Sequence, residues 1–291
     1  MSGQLYLLPC PISEAPALDA LPASTVETAR RIDHFLVEAA RTARATLKAM
    51  GHPKPIAELD IVEIGHDPAP ELISEWLQPV LDGADAAVLS ESGCPGVADP
   101  GAQIAARAHE LGIRVVPLTG PSSILLTLMA SGLDGQRFRF SGYLPKHDAE
   151  RRAAILAAEK ASRASETQLF IETPYRNTAL LDALLETLAP DTRLTVAIDV
   201  TGQNESIRTL TAAAWKAIPK AMRTLPKLPP VFAFLAKPGN RAPRYAPECA
   251  GGKRAHTAPS SKPAVLNNRP KQAYKTHRPE GSPVKTLKGG R

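Results

Sequence analysis

Short apolar runs alternate with amphipathic stretches along the first 240 residues of the chain. In the first half, the apolar runs predict β-strands at 4–8, 60–64, 86–90 and 113–118. Between them, apolar residues recur at every third or fourth position, which predicts helices that include 70–83 and 101–112. Gly112 stands where a glycine commonly ends a helix. This alternation is typical of an α/β sheet with helical crossovers.

The segment 25–50 admits two interpretations. Taken alone, its apolar spacing predicts one long amphipathic helix, with Ala29, Ile32, Leu36, Ala39, Ala43 and Leu47 on the apolar face. The alternative is a short strand near 34–38 with a separate helix after it. Periodicity by itself favours the single helix.

The second half of the chain repeats the alternation after the segment RFRFSGYLPK. The pattern predicts a helix at 148–163, a strand at 167–172, a helix at 176–188, a strand at 193–199, a hairpin around Gly202 and a strand at 231–236. The prolines of LPKLPP exclude a helix just before the last strand. We therefore predict two α/β domains, at 1–118 and 119–240.

The charges of the chain are unevenly distributed. The net charge is +6, yet residues 241–291 hold 12 Lys+Arg and 2 Asp+Glu, whereas residues 1–240 hold 23 and 27. This basic tail is rich in Pro, Gly and Ser and lacks apolar periodicity, so we predict that it is disordered. A flexible basic segment can bind the phosphates of RNA or of a ribosomal subunit, although it is equally compatible with a solvated extension.

Several classes of protein are disfavoured by the sequence. No apolar run approaches the roughly 20 residues of a membrane helix, and the first residues do not resemble a signal peptide, so we expect a cytoplasmic protein. Cys10, Cys94 and Cys249 are scattered without a CxxC pair, which favours reduced thiols over disulfides or structural zinc. The histidines show no metal-ligand spacing, so no metal is predicted.

Two loops have the composition of ligand-binding turns. The glycine-rich loop, SESGCPGVADPG at 90–101, follows a predicted strand and leads into a helix. The serine loop, LTGPSS at 118–123, has the same setting. Ligands of open α/β sheets bind beyond the carboxyl ends of strands, so the two loops predict a single cleft. Neither loop matches GxGxxG or the Walker A pattern, which disfavours nucleotide phosphates.

Together these segments resemble the tetrapyrrole methylase superfamily, and within it the branch of ribosomal RNA small subunit methyltransferase I. The likeness is carried, in order, by GQLY with Pro9 and Pro11, the glycine-rich loop, PLTGPSSILLTLMASGL, GYLP, FIETPYRN and PPVFAFLAKP. It covers roughly residues 3–238. The resemblance favours the short strand near 34–38 over the single long helix.

The resemblance implies two α/β domains of the tetrapyrrole methylase type, with S-adenosylmethionine bound in the cleft between them. Carried over position by position, it implies that the cofactor meets residues of both loops and both domains: Pro9, Ser92, Gly93, Cys94, Val97, Ser122, Ser123 and Thr173. Most of this recognition would come from backbone N–H and C=O groups. Cys94 stands where the related loop has Thr, which disfavours a nucleophilic thiol.

Two further residues are candidates for catalysis. The ribosomal branch carries a Glu-Asp-Thr-Arg motif, of which this chain keeps only Glu38 and Arg41. By resemblance, Glu38 is the candidate base for an acceptor hydroxyl, and Arg41 the candidate ligand of a substrate phosphate. The alternative is an ordinary surface pair separated by three residues.

The resemblance implies an S-adenosylmethionine-dependent methyltransferase that acts on RNA, with ribose 2′-O methylation of ribosomal RNA as the expected reaction. Two alternatives stay open: methylation of a tetrapyrrole or other small molecule, and a non-catalytic protein that binds cofactor and nucleic acid on the same fold. By analogy with the family, a homodimer is expected.

Overall fold

A computed structural model describes residues 2–238 of the chain, and the basic tail lies outside the described residues. Two five-stranded sheets form the framework. The strands of the first sheet are β1 (Gln4–Leu7), β2 (His34–Val37), β3 (Asp60–Glu63), β4 (Ala86–Leu89) and β5 (Arg114–Pro117). Those of the second are β6 (Phe138–Tyr143), β7 (Thr167–Ile171), β8 (Arg193–Ile198), β9 (Ser206–Thr211) and β10 (Pro230–Leu235). This confirms the α/β fold class.

The first sheet is entirely parallel, in the order β3-β2-β4-β1-β5. All four residues of β2 and of β4 are buried, as expected for strands that are covered by helices on both faces. Because the strands are parallel, the loops that follow β4 and β5 leave the sheet at the same edge as the loop after β1. This topology places the glycine-rich loop and the serine loop side by side.

Six helices accompany the first sheet in the described part of the chain: α1 (Ala17–Ala20), α2 (Ala23–Ala29), α3 (Ala40–Ala49), α4 (Ile73–Trp76), α5 (Gln78–Leu81) and α6 (Ala102–Glu110). The strand in the segment 25–50 is confirmed, since β2 separates α2 from α3. The single helix predicted at 70–83 is wrong: it is two short helices. Pro79 has no N–H to bond with the carbonyl of Glu75, which interrupts the helical ladder.

The second sheet is mixed, in the order β6-β7-β10-β8-β9, with only β6 and β7 parallel. Its helices are α7 (Ser123–Ser131), α8 (Asp148–Ser162), α9 (Asn177–Thr187) and α10 (Ala212–Ala217). The hairpin predicted around Gly202 is confirmed as the turn between the antiparallel strands β8 and β9. The strand β6 was not predicted.

Helix α7 connects the two sheets. It begins directly after the serine loop of the first sheet, and its buried residues Ile124 and Leu128 pack against residues of the second sheet such as Val231. A further link joins Ser13 to Thr201, whose hydroxyl oxygens lie 3.1 Å apart. The amino-terminal end of α7 is therefore held between the two sheets. No helix within residues 2–238 is both long and apolar enough to cross a membrane.

Candidate functional site

A cavity lies where the carboxyl edge of the first sheet faces the second sheet. The first half of the chain contributes Ile12 and six residues of the glycine-rich loop: Ser92, Gly93, Cys94, Val97, Ala98 and Asp99. The start of α7 contributes Ser122, Ser123 and Ile124. The second sheet and its loops contribute Tyr143, Ile171, Glu172, Val200, Pro229, Pro230 and Val231. The two loops singled out from the sequence thus share one cavity.

Most of the residues expected to bind the cofactor line this cavity: Ser92, Gly93, Cys94, Val97, Ser122 and Ser123. Pro9 and Thr173 are not among the lining residues. Pro9 instead packs beneath the serine loop, against Gly120. At the second sheet, the neighbouring Glu172 lines the cavity, and its Oε1 accepts a hydrogen bond from the Thr173 amide at 2.7 Å.

The glycine-rich loop is held in shape by its own backbone. The amide of Gly96 donates to the carbonyl of Pro100 at 2.9 Å. Ala98 adopts a φ of 64°, a left-handed conformation that is unfavourable for a residue with a Cβ and that persists only where the surroundings enforce it. Asp99 follows directly and is half-buried. The loop therefore presents Asp99 to the cavity from a constrained backbone.

Glu38 is a fixed part of this site rather than a surface residue. Its side chain is only 12% exposed, and its Oε2 accepts a hydrogen bond from the amide of Glu91, in the glycine-rich loop, at 2.9 Å. Its Oε1 lies 3.1 Å from Nδ1 of His66. Arg41 is exposed on the first turn of α3 and forms no ion pair with Glu38 within residues 2–238. The alternative of a simple surface pair is therefore wrong.

The charges around the glycine-rich loop perturb its ionisable groups. Burial, and next the neighbouring charge of Glu38, raise the pKa of Asp99 to about 6, and His66 and the Ser90 hydroxyl oppose part of this shift. Across the cavity, burial first, and then the carboxylates of Glu172 and Asp99, raise the pKa of Tyr143. At neutral pH Asp99 therefore brings negative charge to the cavity.

The two described cysteines are protonated structural thiols. Burial, with Asp99 as the next cause, raises the pKa of Cys10 to about 12 and also raises the pKa of Cys94. Cys94 Sγ lies 3.4 Å from the carbonyl oxygen of Pro121, to which it donates. These environments agree with the interpretation that Cys94 is not a nucleophile. Within residues 2–238, no group of three or more His, Cys, Asp or Glu is arranged to hold a metal ion.

The chemistry of the cavity fits S-adenosylmethionine, whose sulfonium and ammonium groups are cationic. Glu172 is fully buried, and its Oε2 lies 3.0 Å from Arg176 Nη2 without hydrogen-bond geometry. That oxygen is ion-paired but accepts no hydrogen bond among the described residues, and a buried acceptor without a hydrogen bond is costly unless a ligand donates one. Asp99 lines the same cavity, and no lysine or arginine is among the described residues that line it, so the cavity is compatible with a cationic ligand.

These features define a two-sheet α/β protein whose ligand site lies between the carboxyl edge of a parallel sheet and a second, mixed sheet. The family model for tetrapyrrole (corrin/porphyrin) methylases matches residues 17–215. The chain belongs to this family of S-adenosylmethionine-dependent methyltransferases.

The curated relatives include proteins named ribosomal RNA small subunit methyltransferase I. The one from Vibrio cholerae is 30% identical over 205 residues, which cover 70% of this chain and 67% of that protein. The one from Mesorhizobium japonicum is 33% identical and covers 72% of this chain and 68% of that protein. In Neisseria meningitidis serogroup B, the match is 29% identical and covers 69% of this chain and 65% of that protein. The chain thus spans about two thirds of the length of these relatives.

Solved structures support the fold. A conserved hypothetical protein from Aeropyrum pernix K1 superposes with a TM-score of 0.58 at 17% identity, over 82% of this chain and 86% of that one. A diphthine synthase superposes with a TM-score of 0.56 at 17% identity, over 80% of this chain and 90% of that one. At this identity, the likeness establishes the shared two-sheet architecture.

Proposed function

We propose that this protein transfers a methyl group from S-adenosylmethionine to RNA of the small ribosomal subunit, at a ribose 2′-hydroxyl. The observation that carries the proposal is the similarity to ribosomal RNA small subunit methyltransferase I of several bacteria, at about 30% identity over most of the described residues. The region that matches the family model, residues 17–215, includes both loops of the cavity. S-adenosylmethionine would supply an electrophilic methyl group, and the protein would hold the acceptor in line with it.

The residues that would hold the cofactor come from both sides of the cavity. Ser122 and Ser123 lie at the start of α7 and provide hydroxyls and helix amides. Gly93 and its neighbours in the glycine-rich loop provide backbone groups without a bulky side chain. On the second sheet, the buried carboxylate of Glu172, which is paired with Arg176, lies at the same cavity. This division of roles accounts for a site built largely from small residues.

Helix α3 supports RNA as the acceptor. Arg41, Arg44 and Lys48 are exposed on one face of this helix, and the buried Ala43 and Leu47 lie on the opposite face. The helix contains no acidic residue, and these three cations form no ion pair within the described part of the chain. We call these three residues the α3 basic face. It can neutralise RNA phosphates, because its cations are exposed and form no ion pair within the described part of the chain.

The α3 basic face begins beside the cavity. At the amino-terminal end of α3, Thr42 Oγ1 donates to the carboxylate of Glu91, in the glycine-rich loop, at 2.8 Å. The amide of Ala40 donates to Glu63 Oε2 at 2.8 Å. From Arg41 to Lys48 the helix rises about 10 Å, enough to follow successive phosphates away from the site. The basic tail at 241–291 would add phosphate contacts that are independent of sequence.

A small-molecule acceptor is the second candidate, because the family model is named for tetrapyrrole (corrin/porphyrin) methylases. Tetrapyrroles of this kind carry several carboxylates, and the cavity is a poor site for them because the described residues that line it include Asp99 and no lysine or arginine. The α3 basic face would also have no role in such a reaction. Both observations favour RNA.

The proposal is tested by incubating the full-length protein with methyl-labelled S-adenosylmethionine and bacterial small ribosomal subunits, naked ribosomal RNA or uroporphyrinogen. We expect label in RNA, and nuclease digestion followed by mass spectrometry should recover a ribose-methylated nucleoside. A base-methylated nucleoside would show that the 2′-hydroxyl is not the methylated group. Label only in the tetrapyrrole would show that RNA is not the acceptor. Absence of label from every RNA, although the protein binds the cofactor, would overturn the proposed function.

A further inference from the structure

Asp99 lies at the boundary between the cavity and a second pocket. A second, smaller pocket adjoins the cavity and is lined by residues that include His66, Asp67 and Gln103. Among the described residues, only Ala98 and Asp99 line both the cavity and this adjoining pocket. A carboxylate at such a boundary can contact a ligand in one space and a second molecule that enters through the other. This is the position required of a group that acts between cofactor and acceptor.

Both carboxylate oxygens of the neighbouring Glu38 contact other residues of the protein. One of its oxygens accepts the amide of Glu91, and the other lies beside His66 Nδ1. Glu38 therefore fixes the start of the glycine-rich loop and does not line the cavity. Asp99 has no ion-pair partner within residues 2–238, which leaves its carboxylate available to a ligand.

The charged groups around Asp99 come from three segments of the chain. Glu38 follows β2, Glu91 belongs to the glycine-rich loop itself, and His66 follows β3. The other ionisable groups around Asp99 are the thiols of Cys10 and Cys94, both protonated at neutral pH, and the Tyr143 hydroxyl across the cavity. Burial and the two glutamates raise the pKa of Asp99 to about 6, so at pH 7 to 8 it is ionised and yet a better proton acceptor than an ordinary aspartate.

We propose that Asp99 is the general base of the methyl transfer, and that the adjoining pocket lined by His66, Asp67 and Gln103 receives the acceptor. The inference rests on the proposed function. As the acceptor oxygen forms its bond to the methyl carbon, the carbon–sulfur bond breaks and its electron pair stays on sulfur, which becomes a neutral thioether. The hydroxyl proton passes to the Asp99 carboxylate and is then released to water. Glu38 is a positioning residue in this scheme.

The test compares Asp99→Asn with Asp191→Asn in the full-length protein. Both variants remove one aspartate carboxylate, but Asp191 is exposed and lines neither the cavity nor the adjoining pocket. Calorimetric titration with S-adenosylmethionine should give a Kd for Asp99→Asn that differs from the wild-type value by less than about tenfold. Methyl transfer to RNA at pH 8 should fall by about 10² to 10⁴-fold, the range expected for loss of a general base. Asp191→Asn should keep its rate within about threefold.

The dependence of kcat/KM on pH distinguishes a general base from a residue with only a structural role. In the wild type, kcat/KM should fall as the pH drops through about 6, because protonation of Asp99 removes the base. The residual activity of Asp99→Asn should lack this step. If Asp99→Asn has wild-type activity and a wild-type pH profile, Asp99 is not the general base. A loss of cofactor affinity of tenfold or more would also overturn it, since Asp99 would then serve to bind the cationic cofactor.

The outcomes distinguish this inference from the proposed function. If the wild type methylates RNA and Asp99→Asn does so equally well, only the base assignment fails. If the wild type binds cofactor but transfers no methyl group to RNA, the proposed function fails and the assignment of the base falls with it.

Discussion

The backbones of Cys10 and Gly93 pair beside the cavity, which Gly93 lines. The amide of Cys10 donates to the carbonyl of Gly93 at 2.8 Å, and the amide of Gly93 donates to the carbonyl of Cys10 at 3.2 Å. Cys10 follows β1 and Gly93 follows β4, two neighbouring strands of the parallel sheet. This reciprocal pair fixes the glycine-rich loop against the end of β1, so the shape of the cavity depends on backbone contacts more than on side chains.

The close approach of Pro9 to Gly120 predicts a steric requirement for glycine. A Cβ at position 120 would lie 2.2 Å from Pro9 Cγ and 2.4 Å from Pro9 Cβ. Gly120→Ala should lower the free energy of unfolding by about 1 to 3 kcal/mol, the usual cost of overpacking. Urea denaturation measures this change. Gly135→Ala is the matched control, because a Cβ there meets nothing within 4 Å and should leave stability within about 0.5 kcal/mol. Equal stability of the two variants would contradict the packing.

The raised pKa of Asp99 predicts a stability effect with a definite sign. Its pKa rises from 3.8 to about 6 on folding, so the folded state binds the proton more tightly. The resulting stabilisation is present below pH 4 and is lost as the pH rises through 6. Asp99→Asn should therefore gain Tm relative to the wild type at pH 8, on the order of 2 °C, and gain little at pH 4. Thermal melts at both pH values test this, and a difference that shrinks as the pH rises would contradict the shift.

The α3 basic face predicts a salt dependence of RNA binding. Replacing Arg44 and Lys48 by Gln should weaken binding and reduce the slope of log K against log salt by about 1.5 to 2. The matched control replaces Arg152 and Arg163, which are exposed near helix α8, by Gln. Fluorescence anisotropy with a labelled ribosomal RNA fragment measures both slopes. If the two double variants reduce the slope of log K against log salt by the same amount, the α3 basic face has no specific role in RNA binding.

The strands that carry the site were predictable because their apolar runs are buried on both faces. Strand β4 is fully buried and could be read directly from its sequence. Strand β6 could not, because all its residues are exposed or half-buried and the sequence FRFSGY contains no continuous apolar run. Pro79 divided a helix whose apolar spacing was otherwise continuous.

The candidate site could be predicted only as far as the loops that form it. Glycine, proline and serine patterns identify a ligand-binding turn, but they do not say which side chain of a segment faces the cavity. The sequence therefore pointed to Thr173, whereas the residue that lines the cavity is its neighbour Glu172. The role inferred for Asp99 depends on Glu38 and His66, which approach it only in the folded chain. The loop sequence alone carries no signal of those neighbours.

Binding of S-adenosylmethionine in the cavity is the central claim, and calorimetric titration of two glycine variants tests it most directly. Gly93 and Gly112 have nearly the same backbone conformation, with φ of 73° and 71°, but only Gly93 lines the cavity. Gly93→Gln and Gly112→Gln should each lose about 1 to 2 kcal/mol of stability through the left-handed backbone. The account predicts saturable binding to the wild type and to Gly112→Gln, and a loss of at least 100-fold in affinity for Gly93→Gln. Equal affinity of the two folded variants, or no binding to the wild type, would contradict it.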